Sequence, residues 1–370
     1  MNATPRSTIQ QQRIHHYGSS LNSLEFFNLL TSDELLNEVE ALLPDHRERL
    51  FPPTETLSLF LAQVMSADQS CQQTVNQAAI HRLATGLPAC STHTGAYCKA
   101  RQRLPQELVS HLTQFLGTHI SDLIPDAWRW RQRRVLLADG TTATMADTEA
   151  NQHQFPQQGG QLPGLGFPIC RIVGITCLGS GALLNAAIGR FNGKGSGEQG
   201  LLRSIQDTFQ PGDVLLGDAF YATYFFIAQM ISRGVDLVME QQGARRRSTD
   251  FRLGQRLGER DHLIHINKPT IKPNWMTDED YQAAPETICI RECHTGGRIL
   301  VSTICDRSIH KSELGELHQQ RWHVELDIRQ IKETMGMNIL RCRSPEMATK
   351  EVWTTMLAYN LIRLMMAQSA

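Results

Sequence analysis

Apolar residues recur with helical spacing through the first third of the chain, from Ser23 to about Ile120. The pattern predicts helices in SLEFFNLLTSDELLNEVEALL, in TETLSLFLAQVMS and in SCQQTVNQAAIHRLA. A further helix, AYCKARQRLPQELVSHLTQFLGTHI, contains Pro105, which interrupts it or divides it in two. We therefore predict a helical N-terminal domain, residues 1–131.

The pattern changes at residue 132, where short apolar runs replace helical spacing. Asp139 directly follows the run Val135–Ala138, and Asp218 follows the run Val214–Leu216 after one glycine. A short apolar run of this kind predicts a buried strand, which would carry each carboxylate at its end. Aspartate before glycine is also common in turns, so Asp139 alone has a simpler explanation. Asp213 precedes its strand and would lie at the opposite edge of the sheet.

The intervening segments predict a hairpin around Gly179–Gly181, a helix in EQGLLRSIQDTF, a helix in AFYATYFFIAQMISRG and a strand in VDLVMEQQ. This order indicates an α/β fold of the ribonuclease-H-like type, a mixed sheet flanked by helices. We predict that residues 132–241 and 312–370 form the two parts of this core. Residues 242–311, which contain TICIREC and RILVSTIC, are predicted to form a mostly β insertion.

Charged residues cluster in the segment His318–Lys332, HQQRWHVELDIRQIK. Read as one helix at about 100° per residue, the segment has a charged stripe and an adjacent apolar one. The charged stripe comprises His318, Arg321, Glu325, Arg329 and Lys332, and the apolar stripe comprises Val324, Ile328, Ile331 and Met335. A carboxylate among four potential cations suits a metal ion and the phosphates around it. The simpler alternative is a set of i,i+4 ion pairs on a solvated surface.

Composition narrows the class of protein. The 370 residues carry a formal net charge of −1, which argues against a generally basic surface for binding nucleic acid, so any such binding must use local patches. The chain has no apolar run long enough to span a membrane and no apolar signal-peptide core at its start, so we expect a cytoplasmic protein. The nine scattered cysteines include no C-x-x-C pair, which favours reduced thiols over disulfides. Neither a structural zinc site at Cys289, Cys293, His294 and Cys305 nor a phosphate-binding loop at Lys194 matches a known template.

Local basic patches remain as candidate nucleic-acid contacts. Residues 244–272 contain eight arginines and lysines and three acids, a net charge of +5. Trp275 in the same insertion would stack on an unpaired base or pack on its own β surface. In the N-terminal region, Lys99, Arg101 and Arg103 would grip a DNA end or form an ordinary solvated helix face.

With Asp139, Asp218 and Glu325 identified, the chain resembles bacterial insertion-sequence transposases of the DDE type, in the IS-four family. Its C-terminal signature is Tyr, two residues, Arg, three residues, Glu, six residues, Lys. Here His318 replaces the Tyr, and Arg321, Glu325 and Lys332 match. The likeness extends to STHTGAYCKARQRLP, LLADGTT, VLLGDAFY and the segment ending in RSPEM.

The resemblance implies cleavage of double-stranded DNA at inverted-repeat ends and joining of the 3′-hydroxyl ends to target DNA. It implies that Asp139, Asp218 and Glu325 hold two Mg²⁺ ions, with Mn²⁺ as a substitute, for an in-line displacement. Arg321, Lys332, His318, Arg329 and Trp275 are the implied DNA contacts. A homodimer on paired ends, in a prokaryotic nucleoid, completes this expectation. The alternatives are a transposase-derived protein that binds DNA without cutting it, a nuclease on the same core, and an enzyme acting on small molecules.

Overall fold

The computed structural model describes residues 42–43, 50–88, 90–160, 162, 164–193, 195–322 and 329–368. Most of the first predicted helix and the whole of 323–328, including Glu325, lie outside the described residues. In chain order, the α-helices of the described part are α1 (Pro53–Met65), α2 (Cys71–Ala84), α3 (Gly95–Arg103), α4 (Gln106–Asp122), α5 (Glu149–Gln154), α6 (Glu198–Ser204), α7 (Tyr224–Ser232), α8 (Gly243–Ser248), α9 (Asp278–Ala283), α10 (Lys311–Gln319) and α11 (Pro345–Gln368). Short 3-10 helices lie at Asp126–Trp128 and Gln206–Thr208, and a π-helix lies at Gln330–Thr334.

A single mixed sheet of nine strands forms the centre of the described structure. The strands are β1 (Val135–Thr144), β2 (Ile169–Cys177), β3 (Leu183–Arg190), β4 (Val214–Gly217), β5 (Asp236–Glu240), β6 (Gln255–Gly258), β7 (Asp261–Asn267), β8 (Thr287–Thr295) and β9 (Arg298–Ser302). Their order across the sheet is β3-β2-β1-β4-β5-β9-β8-β7-β6. Strands β1, β4 and β5 are parallel neighbours, and the other neighbouring pairs are antiparallel. The predicted mixed sheet flanked by helices is confirmed, and its first five strands have the ribonuclease-H-like order.

The strands form where the sequence pattern places them. β4 is the apolar run Val214–Gly217, and it is buried throughout because helices cover both faces of the sheet at this point. Leu215 belongs to one core cluster with Phe226 of α7, and Leu216 belongs to another with Leu317 of α10. β2 and β3 form the predicted hairpin, whose turn includes Gly181 at φ 66°. That φ lies in the left-handed region, which glycine adopts without steric cost.

Strand β1 is longer than its apolar run predicts. It continues past Asp139 to Thr144 and pairs with β2 along this whole second half. Its pairing with β4 ends at Leu137. Asp139 therefore lies inside a strand, immediately beyond the point where the neighbouring parallel strand stops, and the expectation of a strand ending at Asp139 is wrong.

The N-terminal helices share a hydrophobic core with the end of the chain. Leu57 and Phe60 of α1, Leu112 of α4 and Leu357 of α11 belong to one buried cluster. Asn360 connects α11 to both α4 and β3, because its side chain donates to Thr113 O at 2.9 Å and to Leu183 O at 2.8 Å. Pro105 separates α3 from α4, as predicted. The division of the chain into domains at residues 131, 241 and 311 stays a prediction.

The insertion extends the central sheet. β9 pairs with the edge of β5, and β8, β7 and β6 follow outward. Its basic residues are largely offset by acids from neighbouring segments: Arg245 pairs with Glu292 at 2.9 Å, Arg246 with Glu240 at 3.3 Å, Lys272 with Asp278 at 2.6 Å, and Lys268 with Glu286. The charge counted along the sequence therefore overstates the exposed positive charge of this surface.

The segment His318–Lys332 is not one continuous helix in the described residues. α10 ends at Gln319, and Arg321 lies in a turn beyond it. After the gap at 323–328, Gln330–Thr334 forms a π-helix, which changes the angular spacing of side chains. Ile331 and Met335 are buried in the core, as expected for the apolar stripe. Within the described residues, no helix is both long and apolar enough to cross a membrane.

Candidate active site at the end of the parallel strands

Asp139 and Asp218 lie at the same level on neighbouring strands. In the parallel register Leu137 is opposite Leu216, and each aspartate follows two residues later. Both side chains are half-buried. Asp139 Oδ1 accepts a hydrogen bond from Gly140 N at 2.8 Å, and Asp218 Oδ1 accepts one from Phe220 N at 2.7 Å. The fold thus brings together two carboxylates that are 79 residues apart in sequence.

Glu198 is a third carboxylate of this region that sequence reasoning missed. A Cβ added at Gly140 would lie 2.5 Å from Glu198 Cδ, so the glutamate packs directly over the residue next to Asp139. A larger residue at position 140 would therefore displace the end of the Glu198 side chain. Glu198 Oε1 lies 4.0 Å from Arg171 Nε of β2. The sequence carried no signal for this contact, because Glu198 reads as an ordinary first-turn residue of α6.

The Tyr221 hydroxyl lies within electrostatic reach of all three acids. Burial, followed by the negative charges of Glu198, Asp139 and Asp218, raises the pKa of Tyr221 well above its ordinary value. Its side chain is 1% exposed, and the hydroxyl has no hydrogen-bond partner within the described residues. The electrostatic potential at the end of β4 is therefore negative, which favours the binding of cations.

His318 reaches this site from α10. The buried imidazole hydrogen-bonds the backbone of Gly217, the residue before Asp218. Burial first, and then the positive charges of Arg321 and Arg298, lower the pKa of His318 to about 4. The side chain is therefore neutral near pH 7, and it fixes the end of α10 beside the end of β4.

The other predicted DNA contacts lie in different surroundings. Arg321 is half-buried in the turn after α10, Arg329 is exposed, and Lys332 is half-buried in the π-helix. Trp275 is 41% exposed and packs against the protein: the Arg203 guanidinium lies 3.7 Å from its ring centroid, and Phe225 contacts it edge-on at 6.4 Å. Base stacking by Trp275 stays a prediction for its exposed part.

The three cations of the N-terminal candidate grip do not act together. Lys99 and Arg103 are exposed, but Arg101 is 7% exposed. Its guanidinium hydrogen-bonds Gln63 Oε1 at 3.2 Å and lies 4.8 Å from the Phe60 ring centroid. Arg101 therefore packs α3 against α1 and is not available to a ligand.

The donor set at the strand ends suits a hard divalent cation. Asp139 and Asp218 offer carboxylate oxygens, the ligands that Mg²⁺ prefers. Within the described ranges, no group of three His, Cys, Asp or Glu side chains is close enough to hold a metal ion. The third expected ligand, Glu325, lies outside those ranges. The two aspartates thus fit as part of a site that another residue would complete.

A sheet of this order, with one aspartate inside β1 and a second directly after β4, is typical of the ribonuclease-H-like class. Residues 130–361 match the family model of the transposase DDE domain. The transposase InsG for insertion sequence element IS4 of Escherichia coli (strain K12) is 27% identical over 281 residues. That match covers 74% of this chain and 61% of the relative, so the chain spans less than two thirds of the relative's length. This chain belongs to the DDE transposase family, and its predicted likeness to the IS-four group is confirmed.

Proposed function

We propose that this protein cleaves DNA at the ends of an insertion sequence and joins the resulting 3′-hydroxyl ends to target DNA. The observation that supports the proposal is the parallel register of β1 and β4, in which Asp139 and Asp218 each follow two residues after the paired Leu137 and Leu216. Membership of the transposase family supports the substrate and the reaction.

Asp139, Asp218 and Glu325 are the proposed catalytic carboxylates, and they would hold two divalent cations, Mg²⁺ in preference. When bound, such ions supply the positive charge that activates an attacking hydroxyl and stabilises the leaving oxygen of an in-line displacement. The protein itself would contribute by holding the carboxylates in fixed positions. The hydrogen bonds from Gly140 N and Phe220 N orient the two aspartates, and the strand register fixes their separation.

Cationic side chains around the site would hold the DNA backbone. Arg321 would contact a phosphate as a bidentate fork, and Lys332 and Arg329 would contact phosphates as single charges. His318 and Trp275 complete the proposed set of contacts. Binding would be strongly salt-dependent, because each phosphate contact releases a condensed counterion.

The test uses DNA carrying the two ends of the element, identified as terminal inverted repeats that flank the gene. The unmodified protein is expected to nick and join this DNA in Mg²⁺, with Mn²⁺ as a substitute. Asp218→Asn should bind the same DNA with unchanged affinity and leave it uncut. The matched control is Asp207→Asn, because Asp207 is an exposed aspartate whose pair with Arg233 lies on the surface.

The outcomes separate the alternatives. Binding of ends without cleavage by the unmodified protein would indicate a transposase-derived DNA-binding protein. Degradation without joining to a target would indicate a nuclease on the same core. Absence of salt-dependent DNA affinity would contradict any DNA-directed function and favour a small-molecule substrate. A homodimer on paired ends is part of the proposal, and sedimentation with and without end DNA tests it.

A further inference from the structure

Two cysteines of the insertion lie side by side on the central sheet. Cys289 belongs to β8, and Cys305 follows the end of β9 by three residues. Their Sγ atoms are 3.9 Å apart, and both side chains are half-buried. We call these two residues the thiol pair. A disulfide bond is about 2.05 Å long, so the two sulfur atoms would have to approach each other by about 1.9 Å to form one.

The register of the sheet gives the two backbones a suitable separation. β8 and β9 are antiparallel, and Arg291 lies opposite Ser302. Continued by two residues, this register places Cys289 opposite the residue before Cys305. With opposite Cα atoms about 5 Å apart and about 3.4 Å between successive residues, the Cα atoms of the thiol pair should be about 6 Å apart. Disulfides usually join Cα atoms about 4.4–6.8 Å apart, so the pair can be linked without separating or sliding the strands.

The segment that carries Cys305 is held from both sides. Towards β5, Thr303 N donates to Leu237 O at 3.2 Å, and Leu237 N donates to Thr303 Oγ1 at 2.9 Å. Towards β8, the buried Arg291 side chain donates through Nη1 to Ile309 O at 2.8 Å. These hydrogen bonds keep the thiol pair in contact, so a disulfide between the two cysteines requires no rearrangement of a loop.

The two thiols have different roles because their surroundings differ. Burial first, and then the neighbouring Cys289, raise the pKa of Cys305 to about 12, so Cys305 stays protonated near pH 7. The thiolate is the form that reacts with oxidants, so Cys289 is the member of the pair expected to react first. Cys305, held in contact with it, is then the resolving thiol that completes a disulfide.

We propose that the thiol pair is a site of reversible oxidation, where hydrogen peroxide forms a disulfide that links β8 to the segment leading into α10. The Cys289 sulfur attacks one peroxide oxygen, the S–O bond forms, the O–O bond breaks, and the released hydroxide takes up a proton to become water. The Cys305 sulfur then attacks the Cys289 sulfur, so that the S–S bond forms and the S–O bond breaks. The hydroxyl group leaves with the Cys305 proton as a second water. Two thiols are thus oxidised by two electrons, and one peroxide is reduced to two waters.

The disulfide would stabilise the folded chain. It closes a loop that begins at Cys289 and ends at Cys305, and so reduces the conformational freedom of the unfolded chain. For a loop of this length in a chain of 370 residues that unfolds as one unit, Tm should rise by about 4 °C. The linked segment continues into α10, which packs against the sheet beside the end of β4. Under reducing conditions the pair remains as two thiols.

Peptide mapping tests for the bond. The full reduced chain is treated with a small molar excess of hydrogen peroxide, the remaining thiols are blocked, and the protein is digested without reduction. Trypsin cleaves after Arg291 and Arg298, so Cys289, Cys293 and Cys305 fall on three different peptides. The main linked species should join the Cys289 and Cys305 peptides and should disappear after dithiothreitol treatment. Absence of a linked peptide, or linkage of these cysteines mainly to other ones, would overturn the proposal.

Thermal unfolding of serine variants tests the effect on stability. The oxidised parent should melt about 4 °C above the reduced parent, whereas Cys289→Ser and Cys305→Ser should each melt at one temperature with or without peroxide. Cys90→Ser is the matched control, because Cys90 is a half-buried cysteine of the loop between α2 and α3, and it should respond to peroxide as the parent does. A parent Tm that stays the same or falls on oxidation would contradict the stabilising role.

Trapping of the intermediate tests the order of the two steps. In Cys305→Ser the resolving thiol is missing, so dimedone should label a sulfenic acid at Cys289 after peroxide treatment. In Cys289→Ser, labelling at Cys305 should be at least tenfold lower. Equal labelling of the two variants, or labelling only at Cys305, would refute Cys289 as the first thiol to react. None of these measurements uses DNA, so they remain informative if the protein cuts nothing.

Discussion

Two aspartates at opposite ends of β4 should respond to the same substitution in opposite ways. Asp213 precedes the strand and pairs with Arg134, whose Nε and Nη2 lie 2.9 and 2.8 Å from the two carboxylate oxygens. Asp213 also accepts a hydrogen bond from Gln210 N at 2.8 Å. The Arg134 and Asp213 side chains are only 8% and 5% exposed. We therefore predict a structural role for Asp213 and a catalytic role for Asp218.

The magnitude for Asp213→Asn follows from this burial. The substitution leaves the Arg134 guanidinium buried without a countercharge, and breaking such a pair costs about 3–5 kcal/mol in free energy of unfolding. If the 370 residues unfold as one unit, at about 2.1 cal/mol/K per residue, Tm should fall by about 4–6 °C. Asp218→Asn removes a half-buried carboxylate from a negatively charged site, so its free energy of unfolding should stay within about 0.5 kcal/mol of the parent or rise.

Urea denaturation of both variants, together with DNA cleavage at a temperature where both are folded, checks the contrast. Asp213→Asn should be destabilised and still cleave, whereas Asp218→Asn should be stable and inactive. An Asp213→Asn protein that is as stable as the parent would refute the assigned role of the Arg134 pair. A folded Asp213→Asn protein without activity would refute the separation of roles.

Three further predictions follow from buried groups. Tyr221→Phe should raise the free energy of unfolding by about 1 kcal/mol, because it removes a buried hydroxyl without a partner; urea denaturation showing a clear loss would contradict this. Because the folded-state pKa of His318 is about 4, below the ordinary 6.5, the unfolded chain binds the proton more readily between these pH values. Stability should therefore fall by up to about 3 kcal/mol as pH drops from 6.5 to 4, and denaturation curves of His318→Tyr should lack that component. Arg101→Ala should destabilise the protein by about 2 kcal/mol, because it removes the buried hydrogen bond to Gln63 and the contact with the Phe60 ring, while Arg103→Ala leaves stability unchanged. Equal melting temperatures for the two variants would refute the buried role of Arg101.

The short apolar runs were sufficient to predict the parallel strands. Val214–Leu216 is apolar because helices cover both faces of the sheet around β4, and such a run has few other folded solutions. The second half of β1 was missed for the opposite reason. Beyond Leu137 the strand has a partner on one side only, so residues 139–142 are half-buried and polar. Asp139–Gly140 then reads as a turn, although both residues lie inside β1 and the Glu198 side chain packs over Gly140.

Contacts between distant segments were beyond the reach of pattern reasoning. Arg101 has the sequence context of a solvated helix face, and its burial depends on Phe60 and Gln63 of another helix. The basic count of residues 244–272 could not include Glu292 and Glu240, which approach only after the sheet forms. The end of α10 at Gln319 has no proline or glycine to announce it. The sequence pattern placed Asp139 and Asp218 next to apolar strand segments, but it carried no information about the residues that surround them.

The joining of β9 to β5 has a consequence for any attempt to shorten the chain. A deletion of residues 242–311 would remove β9, the outer neighbour of β5. The backbone N–H and C=O groups on that side of Val238–Glu240 would then have no hydrogen-bond partner in the sheet. An unprotected strand border of this kind recruits strands from other molecules. The shortened protein should therefore aggregate. Strands β6 to β9 protect the edge of β5 and so prevent the sheet from pairing with other molecules.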